Sequence, residues 1–562
     1  MMPAAGPRRR GLATITAMPD VPADPVRAAA ADWRALLATG DRLDDAALAA
    51  ALNTALAGHP APQTVQCVQA LRIARRLWAA RAVLAEALGR WPDEASLQEQ
   101  AAWVESESGD ADAARTAFAA LVQRDPRHAP WVLPYARLLL HAGANTAATR
   151  AVTALFADVE QTPVVRVAAV ELLTDAGQPQ AALDLCLRAL AADSADERLH
   201  VLCGMLASQL GDFGLARQHL EHVLMHDTMR GCEWFAADAL AHTQRYADPQ
   251  HPHRALFRAA LQNAQLSPRA RASLGFALAK IGDDLGDHAA VVQAARAANQ
   301  LRSTDAAACA AGWSERMQAR LRAAPLPPGC QDARPWTPIF IVGIPRSGST
   351  LLASRLARHA EVRDRGELPW LQHLAGQLGE PLLRDPARVA ELATIYQRHL
   401  LQDDAPARFY LDKQPLNLLY VDLILHLWPQ ARIICCQRSA RDTALSLWLQ
   451  DFSDRQHAYA FDFDAIGSFM HGCAALTAHW ATRYPQAFRI QRYEDFIAAP
   501  EASLDALAHW LGLEGQPATA APADRGIATA SLWQARQPIY RHAQGRADAY
   551  LPLLPELTRF DP

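Results

Sequence analysis

Lysine is almost missing from this chain. Of its 55 basic residues only Lys280 and Lys413 are lysines, and the rest are arginines. Base-composition bias accounts for the scarcity, which by itself singles out Lys413 only slightly. No apolar run of eighteen or more residues occurs, which excludes a membrane-spanning helix. The nine cysteines are odd in number, scattered and without C-x-x-C spacing. That pattern speaks against a disulfide framework or a zinc ribbon and for a reducing compartment, so a cytoplasmic protein is expected. The twenty histidines give no spacing on which to place a metal. Charge of either sign is not in excess: the formal net charge is −4 and the pI about 6.6, which excludes a basic nucleic-acid surface and a polybasic membrane anchor.

What is present is a long, mostly foldable chain. Its 562 residues are 51% hydrophobic and 20% charged, too many for one core. Residues 1–27 carry arginines and a short apolar stretch and are expected to be a disordered leader.

From about residue 28 to 320 the chain is rich in alanine and leucine at helical spacing. Gly109, Gly143, Gly177 and Gly211 stand 34 residues apart, and each is followed five positions later by alanine: Ala114, Ala148, Ala182, Ala216. One period earlier Arg75 replaces the glycine, while Ala80 keeps the register. Glycine permits a tight turn between helices and alanine lets paired helices approach closely. The region resembles a tetratricopeptide solenoid of about six repeats, atypical at both ends. Such an array offers a groove for a peptide or protein partner, or serves only as a structural or oligomerisation arm.

Residues 321–337 are proline-rich and non-periodic, as a linker is. Beyond them, short β-rich runs alternate with helical segments, the pattern of a parallel sheet with crossover helices. Strands are predicted at 338–342, 361–364, 408–412, 432–437 and 488–492. The fold class is therefore an N-terminal all-α solenoid followed, over 338–562, by an α/β domain with a P-loop-like parallel sheet.

The first strand runs straight into Gly343-Ile-Pro-Arg-Ser-Gly-Ser-Thr350. Against the phosphate-binding template G-x-x-x-x-G-K-[ST], the glycines and Thr350 fit, but Ser349 stands in place of the lysine that reaches a γ-phosphate. Arg346 adds a bidentate anion contact. The expected ligand is a nucleotide that is not a triphosphate. Ligands of open α/β sheets bind beyond the carboxyl ends of the strands, where Glu367, Lys413, Arg438 and Tyr493 also fall. Arg346, Lys413 and Arg438 can hold phosphate or sulfate oxygens, Ser446 can add a hydroxyl, and Glu367 is placed to act as a general base on an acceptor hydroxyl.

GIPRSGST, RGEL, DKQP, CQRSARDTALS and RYEDF, in that order, resemble the motifs of sulfotransferases dependent on 3′-phosphoadenosine 5′-phosphosulfate (PAPS). The likeness is greatest to tyrosylprotein sulfotransferases and to bacterial proteins joining tetratricopeptide repeats to such a domain. It spans about residues 338–546. By this resemblance Arg346, Ser347, Gly348, Ser349 and Thr350 bind the 5′-phosphosulfate, and Arg438 and Ser446 grip the 3′-phosphate. Tyr493 contacts the nucleotide. Glu367 is the catalytic base, and Lys413 and Arg346 stabilise the transferring group. The stretch SLWQARQPIYRHAQGR is a loop closing over the donor, with Ser531 and Arg546 as ligands. No metal is implied.

Leu368 and Pro369 follow Glu367 where tyrosine-directed members carry another acid, and Gln450 replaces one of their arginines. These departures leave the acceptor open among a protein tyrosine, a saccharide, a lipid and a small metabolite. The other readings of the chain are a repeat scaffold with a nucleotide-binding but inactive α/β domain, and a nucleotide kinase. A protein or peptide acceptor docked on the repeats is the expected partner.

Overall fold

The computed structural model describes residues 32–39, 43–157, 161–193, 195–324, 326, 334–377, 385–514 and 544–560. The expected leader at 1–27, residues 325 and 327–333 of the expected linker, and Ser531 lie outside them. The chain divides into two compact units, Met1–Leu138 and Leu139–Pro562.

The first unit is built of helices, from Trp33–Thr39 through Ala111–Arg124. Leu52, Val68, Leu71, Val83 and Leu84 form its main core. The second unit starts with further helices, ending in Ala306–Arg322, and continues into a sheet of five parallel strands.

The 34-residue register has a conformational cause. Gly109, Gly143, Gly177 and Gly211 all have positive φ, between 70° and 89°, the left-handed residue that ends a helix. Arg75 takes the same conformation at φ 58°, a strain of about 1–2 kcal/mol for a residue with a Cβ. The alanines five positions on, from Ala80 to Ala216, are at most 2% exposed. After Gly109 and Gly211 an aspartate starts the next helix at once: Asp110 accepts from the Ala113 N–H and Asp212 from the Leu215 N–H. The period lapses after residue 226, where the short helices Thr228–Glu233 and Ala236–Ala241 intervene. The same turn returns at Gly286-Asp287, with φ 71° and a capping bond to the Ala290 N–H.

The strands are β1 (Thr337–Gly343), β2 (Val362–Asp364), β3 (Phe409–Asp412), β4 (Arg432–Gln437) and β5 (Phe488–Arg492). Their order in the sheet is β2-β3-β1-β4-β5, so the winding direction reverses at β1. Both faces are covered, which is why β1 reads as an unbroken apolar run. Ile339 and Ile341 pack with Leu352, Leu356, Phe496 and Leu507. Phe340 and Val342 face a larger core with Tyr396, Trp428 and Trp480.

That larger core does not stop at the sheet's own helices. Val291, Ala295, Trp313 and Met317, from the helices before β1, belong to it. Polar ties reinforce the junction. Asp451, its side chain 3% exposed, accepts from Arg269 at 2.6 Å and Arg302 at 2.8 Å, and the Asn299 amide donates to the Trp448 carbonyl at 3.0 Å. Among the described residues, no helix is long and apolar enough to cross a membrane.

Candidate active site

The loop after β1 is shaped by three left-handed residues within six positions. Gly343 has φ 137°, Arg346 71° and Gly348 93°. Gly343 lies against the Cys436 backbone of β4, and a Cβ on Gly348 would meet the Tyr493 ring at 2.5 Å. Both template glycines are thus required by close approach as well as by conformation. The helix Ser349–Leu356 begins directly from Gly348, which has no side chain to cap it. Its first amide groups face the loop, the arrangement that receives an anion. Ser347 is 2% exposed, and its Oγ has no hydrogen-bond partner among the described residues.

Residues from β4 and its following helix close the other side. The Arg346 Nε donates to Ser446 Oγ at 3.1 Å, and Arg438 Nη1 donates to the Arg346 carbonyl at 3.4 Å. Arg438 lies over the Tyr493 ring at 5.0 Å and 3.9 Å from Asp442. Burial pulls the Arg438 pKa down against Asp442 and Tyr493, and the positive charge of Arg546 pulls the same way as burial. Asp442 and Glu494 also hold the backbone around this site. Asp442 accepts from the Gly545 and Ala547 amides at 2.8 and 2.9 Å, and Glu494 from the Ser439 amide at 2.7 Å.

One strand to the other side of β1, β3 ends at Asp412 and delivers Lys413. The lysine is 3% exposed and forms an ion pair with Glu367, which remains exposed. The pairing is fixed by the backbone, because the Lys413 N–H donates to the Gly366 carbonyl at 2.8 Å. Beneath it Asp412 is fully buried and accepts from the Tyr396 hydroxyl, the Asn417 amide at 3.0 Å and the Leu368 N–H at 3.3 Å. Burial pushes its carboxyl up to about 7 against these donors and Lys413. Arg365 holds the end of β2 by a two-pronged contact with Asp404, at 2.7 and 2.8 Å, and by the Leu400 and Leu401 carbonyls.

The structure therefore gathers Arg346, Ser347, Gly348, Ser349, Thr350, Arg438, Ser446 and Tyr493 at the β1–β4 edge, with Glu367 and Lys413 on the β2–β3 side. Arg546 reaches the first group through the Asp442 clamp, while Ser531 lies outside the described residues. Sequence reading missed Arg365, Asp404 and Asp412, as well as the use of Asp442 as a clamp. Of these, Arg365, Asp412 and Asp442 lie within the motifs RGEL, DKQP and CQRSARDTALS, while Asp404 carries no local signal. Four histidines also come together unannounced. His200 and His219 meet through their Nδ1 atoms at 2.8 Å, and His222 stacks on His200 with His226 beyond it. Among the described residues, no group of three or more His, Cys, Asp or Glu side chains is arranged to hold a metal ion.

Residues 338–517 match the family model described as "Sulfotransferase family". A curated protein of Aquifex aeolicus (strain VF5), named only as uncharacterized, is 30% identical over 225 residues, covering 36% of this chain and 29% of that protein. The chain thus spans less than a third of that relative's length. Similar solved structures include a tetratricopeptide repeat protein from Parabacteroides merdae (11% identity, TM-score 0.29, 43% of this chain and 92% of that one). The sulfotransferase domain of the Synechococcus PCC 7002 olefin synthase is 22% identical, with a TM-score of 0.29 over 42% of this chain and 96% of that one. Sulfotransferase STF9 of Mycobacterium avium is 15% identical, with a TM-score of 0.26 over 55% and 94%. By the family match, the chain carries a sulfotransferase-family domain at residues 338–517.

Proposed function

We propose that this protein transfers a sulfuryl group from PAPS to an acceptor hydroxyl. The observation that carries the reading is the pairing of an anion cradle with a base on one sheet edge. The loop Gly343–Thr350, without the template lysine, lies one strand from the Glu367–Lys413 pair. The donor set fits a phosphate ester. The buried Ser347 hydroxyl lacks a partner among the described residues, the amides of Ser349 and Thr350 open a helix, and Arg346, Arg438 and Ser446 converge from two elements. In this reading Arg346 through Thr350 hold the 5′-phosphosulfate, Arg438, Ser446 and Arg546 hold the 3′-phosphate, and Tyr493 supports the nucleotide.

When bound, PAPS supplies a sulfuryl group activated by its phosphate linkage. Glu367 takes the proton of the acceptor hydroxyl, which frees the oxygen to attack. Lys413 and Arg346 stabilise negative charge on the transferring group and on the departing phosphate oxygen. Their fixed positions on strand ends provide the alignment that an in-line displacement needs.

A peptide tyrosine is the acceptor to test first. His141, from the helix Ala129–His141, packs against Trp370 at 6.1 Å, three residues past Glu367. A segment of the repeat region thus meets the helix Trp370–Gln377 that follows Glu367, and in this reading it guides a peptide towards the base. The eight described cysteines are free, which suits a cytoplasmic location.

The test incubates the full chain with PAPS and tyrosine-, serine- or saccharide-bearing acceptors, following 3′,5′-ADP release and sulfated product. Glu367→Gln is expected to keep its affinity for 3′,5′-ADP and to lose turnover by about 10²–10⁴-fold. Turnover by that variant at the wild-type rate contradicts the role of Glu367.

A further inference from the structure

Arg546 is held from two directions, and one of them is the repeat region. Its backbone is fixed by Asp442, whose two oxygens accept from the Gly545 and Ala547 amides on either side of it. Asp442 sits on the helix Ala440–Trp448, which also carries Ser446, and lies 3.9 Å from Arg438. The side chain of Arg546 turns instead to Asp283, on the helix Pro268–Asp284, with Nη2 at 2.9 Å from Oδ2. The other Asp283 oxygen accepts from the Tyr550 hydroxyl at 2.6 Å. Tyr550 is fully buried, with its ring beside His288 at 4.6 Å.

We propose that Asp283 is a positioning residue of the donor site, by which the repeat region fixes Arg546 for the 3′-phosphate. This rests on the sulfotransferase reading above. The tie to Asp283 occupies one side of a guanidinium that has five N–H donors in a rigid fork. Both side chains keep partial exposure (27% and 29%), and with Asp283 and the Tyr550 hydroxyl as its neighbours Arg546 still has more N–H donors than these two partners use. Arg438 and Arg546 sense each other's charge, so an anion between them is drawn by both. The Asp283 carboxylate also offsets the repulsion that would drive Arg546 away from Arg438 before a nucleotide arrives. A cradle built by the α/β domain alone would draw no carboxylate from a helix that ends well before β1.

The test compares 3′,5′-ADP with 5′-AMP, which lacks the 3′-phosphate, by calorimetric titration of the full chain. Asp283→Asn is expected to weaken 3′,5′-ADP about three- to tenfold, the scale of freeing one long side chain, and to leave 5′-AMP within about twofold. In an Arg546→Ala background the same change is expected to have no further effect on the ratio of the two affinities. An unchanged ratio in Asp283→Asn, or an equal loss for both nucleotides, overturns the proposal. Should Asp283→Asn not fold, Asp283→Glu carries the test. It keeps the charge but moves the carboxylate by one methylene, so the ratio is again expected to fall, and an unchanged ratio overturns the proposal. A wild-type chain that binds 3′,5′-ADP no better than 5′-AMP overturns the sulfotransferase reading itself and this proposal with it.

Discussion

Lys413 reaches across from the end of β3 to Glu367 beyond the end of β2, and the two side chains form an ion pair whose lysine is buried and whose carboxylate is exposed. The asymmetry matters for the chemistry. A buried, backbone-fixed lysine keeps its position as ligands come and go, while the exposed carboxylate can meet an incoming hydroxyl.

Replacing Lys413 with methionine is expected to lower kcat by about 10²–10³-fold, the usual cost of removing a group that stabilises charge in the transition state. Affinity for 3′,5′-ADP is expected to change by less than about threefold. Lys413→Arg is not expected to restore turnover, because a planar fork does not replace a compact ammonium in a buried slot. Steady-state rates together with nucleotide titration check both expectations.

Gly348→Ala puts a Cβ at φ 93° and against the Tyr493 ring. The backbone strain alone is about 1–2 kcal/mol, and the loop must shift away from Tyr493. Nucleotide affinity, read by titration with 3′,5′-ADP, is expected to fall by more than about tenfold on that strain. Tyr493→Ala in the same chain removes the collision but not the strain, so stability, read by urea unfolding, is expected to recover in part, while nucleotide affinity is not, because the ring that supports the nucleotide is gone.

Asp451→Ala leaves Arg269 and Arg302 without their shared carboxylate at the junction between helices and sheet. Removing one partner from a buried charge cluster costs about 3–5 kcal/mol. Urea unfolding is expected to show a loss on that scale. A chain starting at residue 334 is expected not to fold cooperatively, because it lacks Trp313 and Met317 from the shared core.

Two buried histidines set a pH dependence. Burial, aided by His200 and His222, pushes His219 down to about 4, and burial, aided by His141 and Arg398, does the same to His399. Both values lie below about 6.5, the ordinary value of an unfolded histidine, so below that pH the unfolded chain binds more protons. The stability these groups contribute is present above about pH 6.5 and is lost as pH falls towards 4, by at most about 1.4 kcal/mol per unit for each. His399→Gln is expected to flatten the dependence of stability on pH between about 6.5 and 4.5; an unchanged slope contradicts it.

Much of this was legible in the sequence, and the reasons are local ones. The strands lie within one residue of their expected bounds; β1, β3 and β4 hold short apolar runs, while β2 and β5, at the edges of the sheet, mix apolar and charged residues. The glycine period was legible because every turn needs the same left-handed residue. Arg75 shows the limit of that rule, since it holds the conformation without being a glycine. Asp283, Asp412 and Asp451 were not legible as site or junction residues. Their partners Arg546, Tyr396 and Arg269 come from separate elements, and such contacts leave no period in the chain. The proline-rich stretch before β1 likewise reads as a boundary, although Trp313 before it and Phe469 after it share one core.

The most direct measurement is a thermal-shift titration of the full chain with 3′,5′-ADP, beside 5′-AMP and ATP with Mg²⁺. At about a hundred times its dissociation constant, a ligand of the folded chain adds roughly 2.7 kcal/mol of stability. For a sulfuryl transferase, 3′,5′-ADP is expected to stabilise the protein more than 5′-AMP does, and ATP with Mg²⁺ is expected not to stabilise it. Stabilisation by ATP with Mg²⁺ in place of 3′,5′-ADP contradicts sulfuryl transfer and points to phosphoryl transfer.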